Sequence, residues 1–206
     1  MNFWSEYGNE ILLKFWEHFY LSFLAISLGI LVAVPLGALL TRVEKGSETV
    51  IKVVGVFQTI PSLALLSIMI PFFGIGKIPA VIALFLYSLL PILRNTYVGI
   101  KSVDATYLDA AKGMGMSQMQ RLVQIELPLA MGVIMAGIRV STVYVISWTT
   151  LASYIGAGGL GDFIFNGLNL YRMDLVLMGT IPITLLALLS DALLKRSEAK
   201  LTMDRG

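Results

Sequence analysis

The 206-residue chain is 57% hydrophobic and only 14% charged, with a mean hydropathy of +0.82, whereas an ordinary soluble domain is roughly 25% charged. That composition excludes a water-soluble globule and points to several membrane spans. The chain has no cysteine, which excludes a disulfide framework and any thiolate metal or redox centre, and its lone histidine, His18, cannot build a metal site by itself. The net charge of +2 says little; the placement of the charges matters more.

Taken in order, residues 1–18 are expected to form an interfacial amphipathic helix. Phe3, Tyr7, Ile11 and Phe15 recur every fourth position, with Trp4 and Trp16 beside them. No basic residue precedes Lys14, so the stretch lacks the charged start of a secretory signal. His18 at its end reads as an interfacial residue.

Residues 19–198 hold five hydrophobic segments, Phe19–Leu40, Val50–Phe73, Ile78–Val98, Leu129–Trp148 and Leu175–Leu194. Each approaches the ~20 residues that cross ~30 Å of hydrocarbon. Pro35, Pro61, Pro91 and Pro182 lie inside four of them, as kinks that neighbouring helices tolerate. Pro91 and Arg94 leave open whether the third span stops at Ile92. The expected fold is an all-α membrane protein with about five transmembrane helices.

Basic residues are distributed unevenly among the connections. Arg42, Lys45, Lys52, Arg94, Lys101, Lys112, Arg121, Lys195, Arg196, Lys200 and Arg205 fall on one side, and only Lys14, Lys77 and Arg172 on the other. The positive-inside rule makes the first side cytoplasmic, with the N-terminus outside and the tail 199–206 inside.

Polar candidates within the spans are few. Arg139 lies in the fourth span, where a charge reads as a functional site or as a bond that holds the bundle. Thr149, Thr150 and Ser153 follow it outward and are candidates to line a polar path. Gln58, Thr59 and Ser62 form a second patch around Pro61. Gly156, Gly158 and Gly161 match G-x-G-x-x-G, with Gly159 between them. That pattern needs a strand before it to bind a dinucleotide; after a membrane helix it reads as a tight external turn that allows close approach. No phosphate-binding loop and no catalytic or metal-binding constellation occurs.

Residues 104–128, DATYLDAAKGMGMSQMQRLVQIELP, are polar between hydrophobic runs. They carry two helical phrases, Thr106–Lys112 and Ser117–Glu126, broken at Gly113-Met114-Gly115, with Ser117 placed to cap the second. Pro128 suits the first turn of the next helix. A folded, solvent-side loop of this kind reads as a docking surface or as a structured loop without a partner.

Asp109-Ala110-Ala111, three residues, Gly115, nine residues, then Ile125 and Leu127-Pro128 resemble the EAA signature of the membrane subunits of bacterial ABC importers, with Asp109 for the usual Glu. The stretches 58–66, 90–97, 110–116 and 155–162 look like the osmoprotectant permeases for glycine betaine, carnitine and choline. This resemblance implies a type I importer fold in which Asp109, Ala110, Ala111, Gly113, Gly115, Ile125, Leu127 and Pro128 form a cytoplasmic coupling helix and its flanks. It implies four kinds of partner: a second permease subunit, two ATPases that hold the ATP and Mg, an external substrate-binding protein, and the bilayer. On this resemblance the chain itself is expected to need no cofactor, to be no enzyme and to have no nucleic-acid partner. With only a short stretch after the last span, the binding domain is expected in a separate protein rather than fused to this one. A permease of the same architecture for methionine or another small solute is the alternative. A passive channel or a membrane enzyme would leave the EAA spacing unexplained.

Overall fold

The structure, a computed structural model, describes residues 3–43 and 45–203; of residues 3–6 and 202–203 it describes only the backbone. Residues 204–206, with Arg205 of the expected tail, lie outside the described residues. The described chain is helical throughout. In order come α1 (Phe3–Leu40), α2 (Ser47–Thr59), α3 (Ser62–Phe73), α4 (Lys77–Lys101), α5 (Ala105–Gly113), α6 (Gln118–Arg121), a π-helical turn (Leu122–Glu126), α7 (Leu127–Ala152), a 3-10 turn (Ser153–Ile155), α8 (Gly161–Asn169) and α9 (Met173–Met203). Four stretches are long and apolar enough to cross a membrane, and the bent pair α2–α3 makes a fifth.

The expected interfacial helix is instead the first part of α1, which runs unbroken for 38 residues and ends together with the first predicted span at Leu40. No glycine or proline interrupts residues 9–28. The stripe Tyr7, Ile11, Phe15 packs on a cluster from α7, α8 and α9 that includes Leu160, Phe163, Leu175 and Met178. The amphipathic face meets protein, not the lipid surface. His18 is correspondingly fully buried rather than interfacial, and its Nε2 donates to the Ile146 carbonyl at 2.9 Å.

The second predicted span is not a kinked rod. It turns through 96° between α2 and α3 at Ile60–Pro61. The third continues past Pro91 to Lys101. A proline inside a helix removes the N–H that would bond the carbonyl four residues earlier, here that of Tyr87. That carbonyl accepts from Gln58 Nε2 at 3.1 Å instead. The Tyr87 hydroxyl donates to the Ile60 carbonyl at 2.7 Å. Tyr87 thus takes two bonds from the bent segment and pins the break of α2–α3 to α4.

Helices α1, α4 and α7 form the centre of the bundle, α9 closes on α7 and α8, and α2 and α3 lean on α4. One apolar cluster, with Ile92, Leu93, Ala130 and Ile134, fills the end beside the 104–128 loop. A second, with Leu21, Leu65, Ala83 and Ile155, fills the end beside the glycine turn. These two ends are called the loop end and the turn end below. Gly137 lets α7 lie directly against the Pro91 carbonyl and Asn95 of α4, where a Cβ would have no room.

Candidate functional site: a capped loop, a broken helix and a pinned turn

The loop is organised by local bonds. Asp104 caps α5 by accepting from the Thr106 amide at 2.7 Å, and hydrogen bonds from the Thr106 side chain and amide hold its carboxyl below its ordinary value. At the far end of α5 the Met116 amide reaches the Ala111 carbonyl at 3.1 Å and the Gly115 amide reaches that of Lys112 at 2.9 Å. This is a Schellman ending, and its left-handed position is Gly115, at φ +79°. Ser117 and Gln120 then form a reciprocal capping box, Ser117 N to Gln120 Oε1 at 2.8 Å and Gln120 N to Ser117 Oγ at 3.3 Å. Gly113 is the last residue of α5 rather than the turn itself.

Ala110 is exposed but Ala111 is 1% exposed, in a helix that packs against the π-helical turn. Ala111 is therefore part of the loop's own packing and does not present its side chain outward. Asp109 is exposed and pairs with Lys112 at 3.0 Å. The outward apolar residues are Tyr107, Met114, Met119 and Val123, none of which the motif singles out. Their signal in the sequence is the apolar residue inside a capped polar loop, since an exposed apolar patch marks an interaction site and methionine adapts to a partner's shape.

Ile125, Leu127 and Pro128 join the loop to α7 without a break. The wider π turn, with the Leu127 amide bonded to the Leu122 carbonyl, precedes Pro128, whose ring and missing N–H exclude an ordinary bond to Gln124. Within that turn lies Glu126, 2% exposed, whose carboxylate accepts from Arg42, just beyond α1. The loop is thus tied to the first span by a part-buried charge pair 84 positions apart in sequence.

In the spans, the predicted pathway residues do not act as one set. Gln58 and Thr59 sit at the break of α2–α3, with Thr59 exposed and its hydroxyl on the Val56 carbonyl at 2.7 Å; half-buried Ser62 begins α3. Thr149 is fully buried and shares a 2.9 Å hydrogen bond with Ser22, so it seals α7 to α1 rather than lining a path. Ser153 donates to the Gly158 carbonyl at 2.9 Å, and Thr150 is half-buried beside Gly161. Arg139 pairs not with helix carbonyls but with two carboxylates of α9, Asp191 through Nε at 3.0 Å and Glu198 through Nη1 at 2.8 Å.

At the turn end, Gly156, Gly158 and Gly159 all have positive φ. The Gly159 amide donates to Glu17 at 3.1 Å, Lys77 joins the same carboxylate at 3.1 Å, and Lys14 bridges Glu17 and Asp162. A Cβ on Gly158 would overlap Glu17, and one on Gly161 would overlap the Thr150 carbonyl. The glycines are a close-approach turn against α1. Nearby, the exposed Arg172 is held more basic than usual by the Asp174 carboxylate and the Tyr7 hydroxyl.

Residues 22–203 match the family described as "Binding-protein-dependent transport system inner membrane component". The chain belongs to that family. This permease is 56% identical over 202 residues to the carnitine transport permease protein OpuCB of Listeria monocytogenes, covering 98% of this chain and 93% of the relative. It is 53% identical, at the same coverage, to the choline transport system permease protein OpuBB of Bacillus subtilis (strain 168). Among solved structures, the MetNI methionine ABC transporter in an inward-facing conformation matches with a TM-score of 0.85 at 22% identity, over 93% of this chain and 95% of that one. An amino acid ABC transporter with histidines matches at TM-score 0.79 and 20% identity, over 97% of this chain and 99% of that one. At such identities the likeness concerns the fold, which is that of the ABC importer permeases. The permease is a multi-pass membrane protein.

Proposed function

We propose that this permease is the membrane-spanning part of an ATP-driven importer for small quaternary ammonium osmoprotectants of the carnitine, choline and glycine betaine class. One observation carries the architecture: the EAA-spaced residues form a doubly capped loop with Ala110, Tyr107, Met114, Met119 and Val123 turned outward. The substrate class rests on the names of relatives that share over half of its residues.

In this reading the loop end is cytoplasmic, as the gathering of basic residues there supports. Two ATPase subunits, which hold the ATP and Mg, receive the loops of two permease subunits, identical or similar. An external binding protein delivers the solute at the turn end. ATP-driven closure of the ATPases favours one of two permease states by differential binding. The π turn and the Arg42–Glu126 pair pass the movement to α7 and α1.

The test is uptake into proteoliposomes that hold the permease with its co-expressed ATPase and binding protein. ATP-dependent accumulation of labelled carnitine, choline or glycine betaine is expected. Accumulation of methionine alone overturns the substrate class, and flux without ATP overturns the importer. Tags at Gly158 accessible from outside and at Ser117 from inside test the orientation.

A further inference from the structure

Helix α2 stops inside the bundle, and the chain swings through 96° before α3 begins. Lipid has no donors for the backbone groups freed at such a break. Irregular backbone at membrane depth is tolerated only where protein covers it or where it lines a water-filled cavity. Thr59 and Pro61 are both exposed in the subunit, so the subunit itself leaves this side of the break uncovered. The last carbonyls of α2 lack partners in their own helix and form the negative end of its dipole.

The residues fastened to this break are aromatic. The Tyr87 hydroxyl holds the Ile60 carbonyl. Its ring lies 4.4 Å, centroid to centroid, from that of Trp148, which lies 5.6 Å from that of Tyr144 one turn earlier on α7. Tyr87 is buried, Trp148 half-buried and Tyr144 48% exposed, so the cluster opens outward from the break. No lysine or arginine occurs in 53–76, 78–93 or 140–171, and the sole carboxylate there, Asp162, is paired with Lys14. A small hydrated cation would need carboxylates. A bulky, weakly hydrated cation is satisfied by aromatic faces and carbonyl dipoles.

We propose that Tyr144 and Trp148, backed by Tyr87 and by the carbonyl end of α2, form a cation–π station for the quaternary ammonium group inside the membrane. This rests on the substrate class proposed above. The rings make an open platform, not a closed cage, which suits a site that must hold the solute briefly and release it.

The test replaces each ring in the reconstituted importer and measures uptake of labelled choline per ATP hydrolysed. Tyr144→Leu and Trp148→Leu are expected to lower uptake about tenfold, and Tyr144→Phe and Trp148→Phe to restore most of it. Because Tyr144 is nearly half exposed, its exchange leaves the packing intact, and Tyr144→Leu decides the matter if Trp148→Leu fails to assemble. Wild-type uptake by Tyr144→Leu overturns the station while leaving the substrate class standing. A wild-type importer that accumulates no quaternary ammonium solute overturns the substrate class and the station with it.

Discussion

The two ends of the permease are built on opposite plans. The loop of residues 104–128 is made by contacts within a few residues: an Asp104 cap, a Schellman ending at Gly115 and a capping box at Ser117. Its outward side chains are left for something else to cover. The turn of residues 156–161 is made by contacts over 142 positions, through Glu17 and Gly159, and its glycines face protein. The same residue type therefore has different uses at the two ends. Gly115 has open space around it and serves backbone geometry alone, whereas Gly161 exists because the Thr150 carbonyl occupies the room a side chain would take.

Substitutions can sharpen this contrast, and the largest effect is expected at the turn. Gly161→Ala should lower the thermal unfolding midpoint of the purified permease, by a loss of about 1–3 kcal/mol from overpacking. Gly113→Ala, with nothing near it, should leave that midpoint in place. Equal midpoints for both would break the comparison.

Next is the tie between the loop and the first span. Glu126→Arg or Arg42→Glu should uncouple ATP hydrolysis from uptake, and the double exchange should recover part of the coupling, as a double-mutant cycle would read. Additive losses would show that the pair carries nothing between the two elements. Arg139→Ala leaves Asp191 and Glu198 without their shared partner and should reduce the yield of folded permease more than Arg172→Ala, as measured by size-exclusion chromatography of the detergent extract. Neighbouring alanines separate the two plans on a finer scale. Ala110→Trp should block ATPase co-purification in an otherwise stable permease, whereas Ala111→Trp, pointing inward, should disorder the loop itself and raise its proteolysis. The smallest effect belongs to Asp109→Glu, which keeps an exposed carboxylate beside Lys112, a pair worth ~0–1 kcal/mol at most; unchanged uptake is expected.

The sequence made the loop legible because caps, glycines and their spacing are local chemistry. Ser117 announces a helix start from its place in the sequence alone; that Gln120 returns the bond was seen only in the structure. The existence of the spans was equally legible from hydropathy. Depth and partners were not. Nothing near His18 says that Ile146 of α7 and the turn at Gly159 will lie against it, and the periodic stripe of Tyr7, Ile11 and Phe15 looks the same whether it meets lipid headgroups or Phe163. Thr149 resembles a pathway residue until Ser22, from a distant helix, bonds to it. Glu126 sits in the variable position of the motif, so the pattern passes over the one loop residue whose carboxylate is nearly buried and paired with Arg42. Arg139 was visible as a charge within a span, but its bonds to Asp191 and Glu198 required knowing how α9 lies against α7.

The exchange between Gln58 and Pro91 has a consequence for inheritance. The glutamine amide occupies a carbonyl that is vacant only because the residue four positions later is proline. An ordinary residue at 91 would restore the helix's own N–H as a rival for the Tyr87 carbonyl and set the amide adrift; loss of the glutamine would leave that carbonyl without its donor. Neither position can drift alone. Across descendants of this chain the two letters should change together, though they belong to different helices.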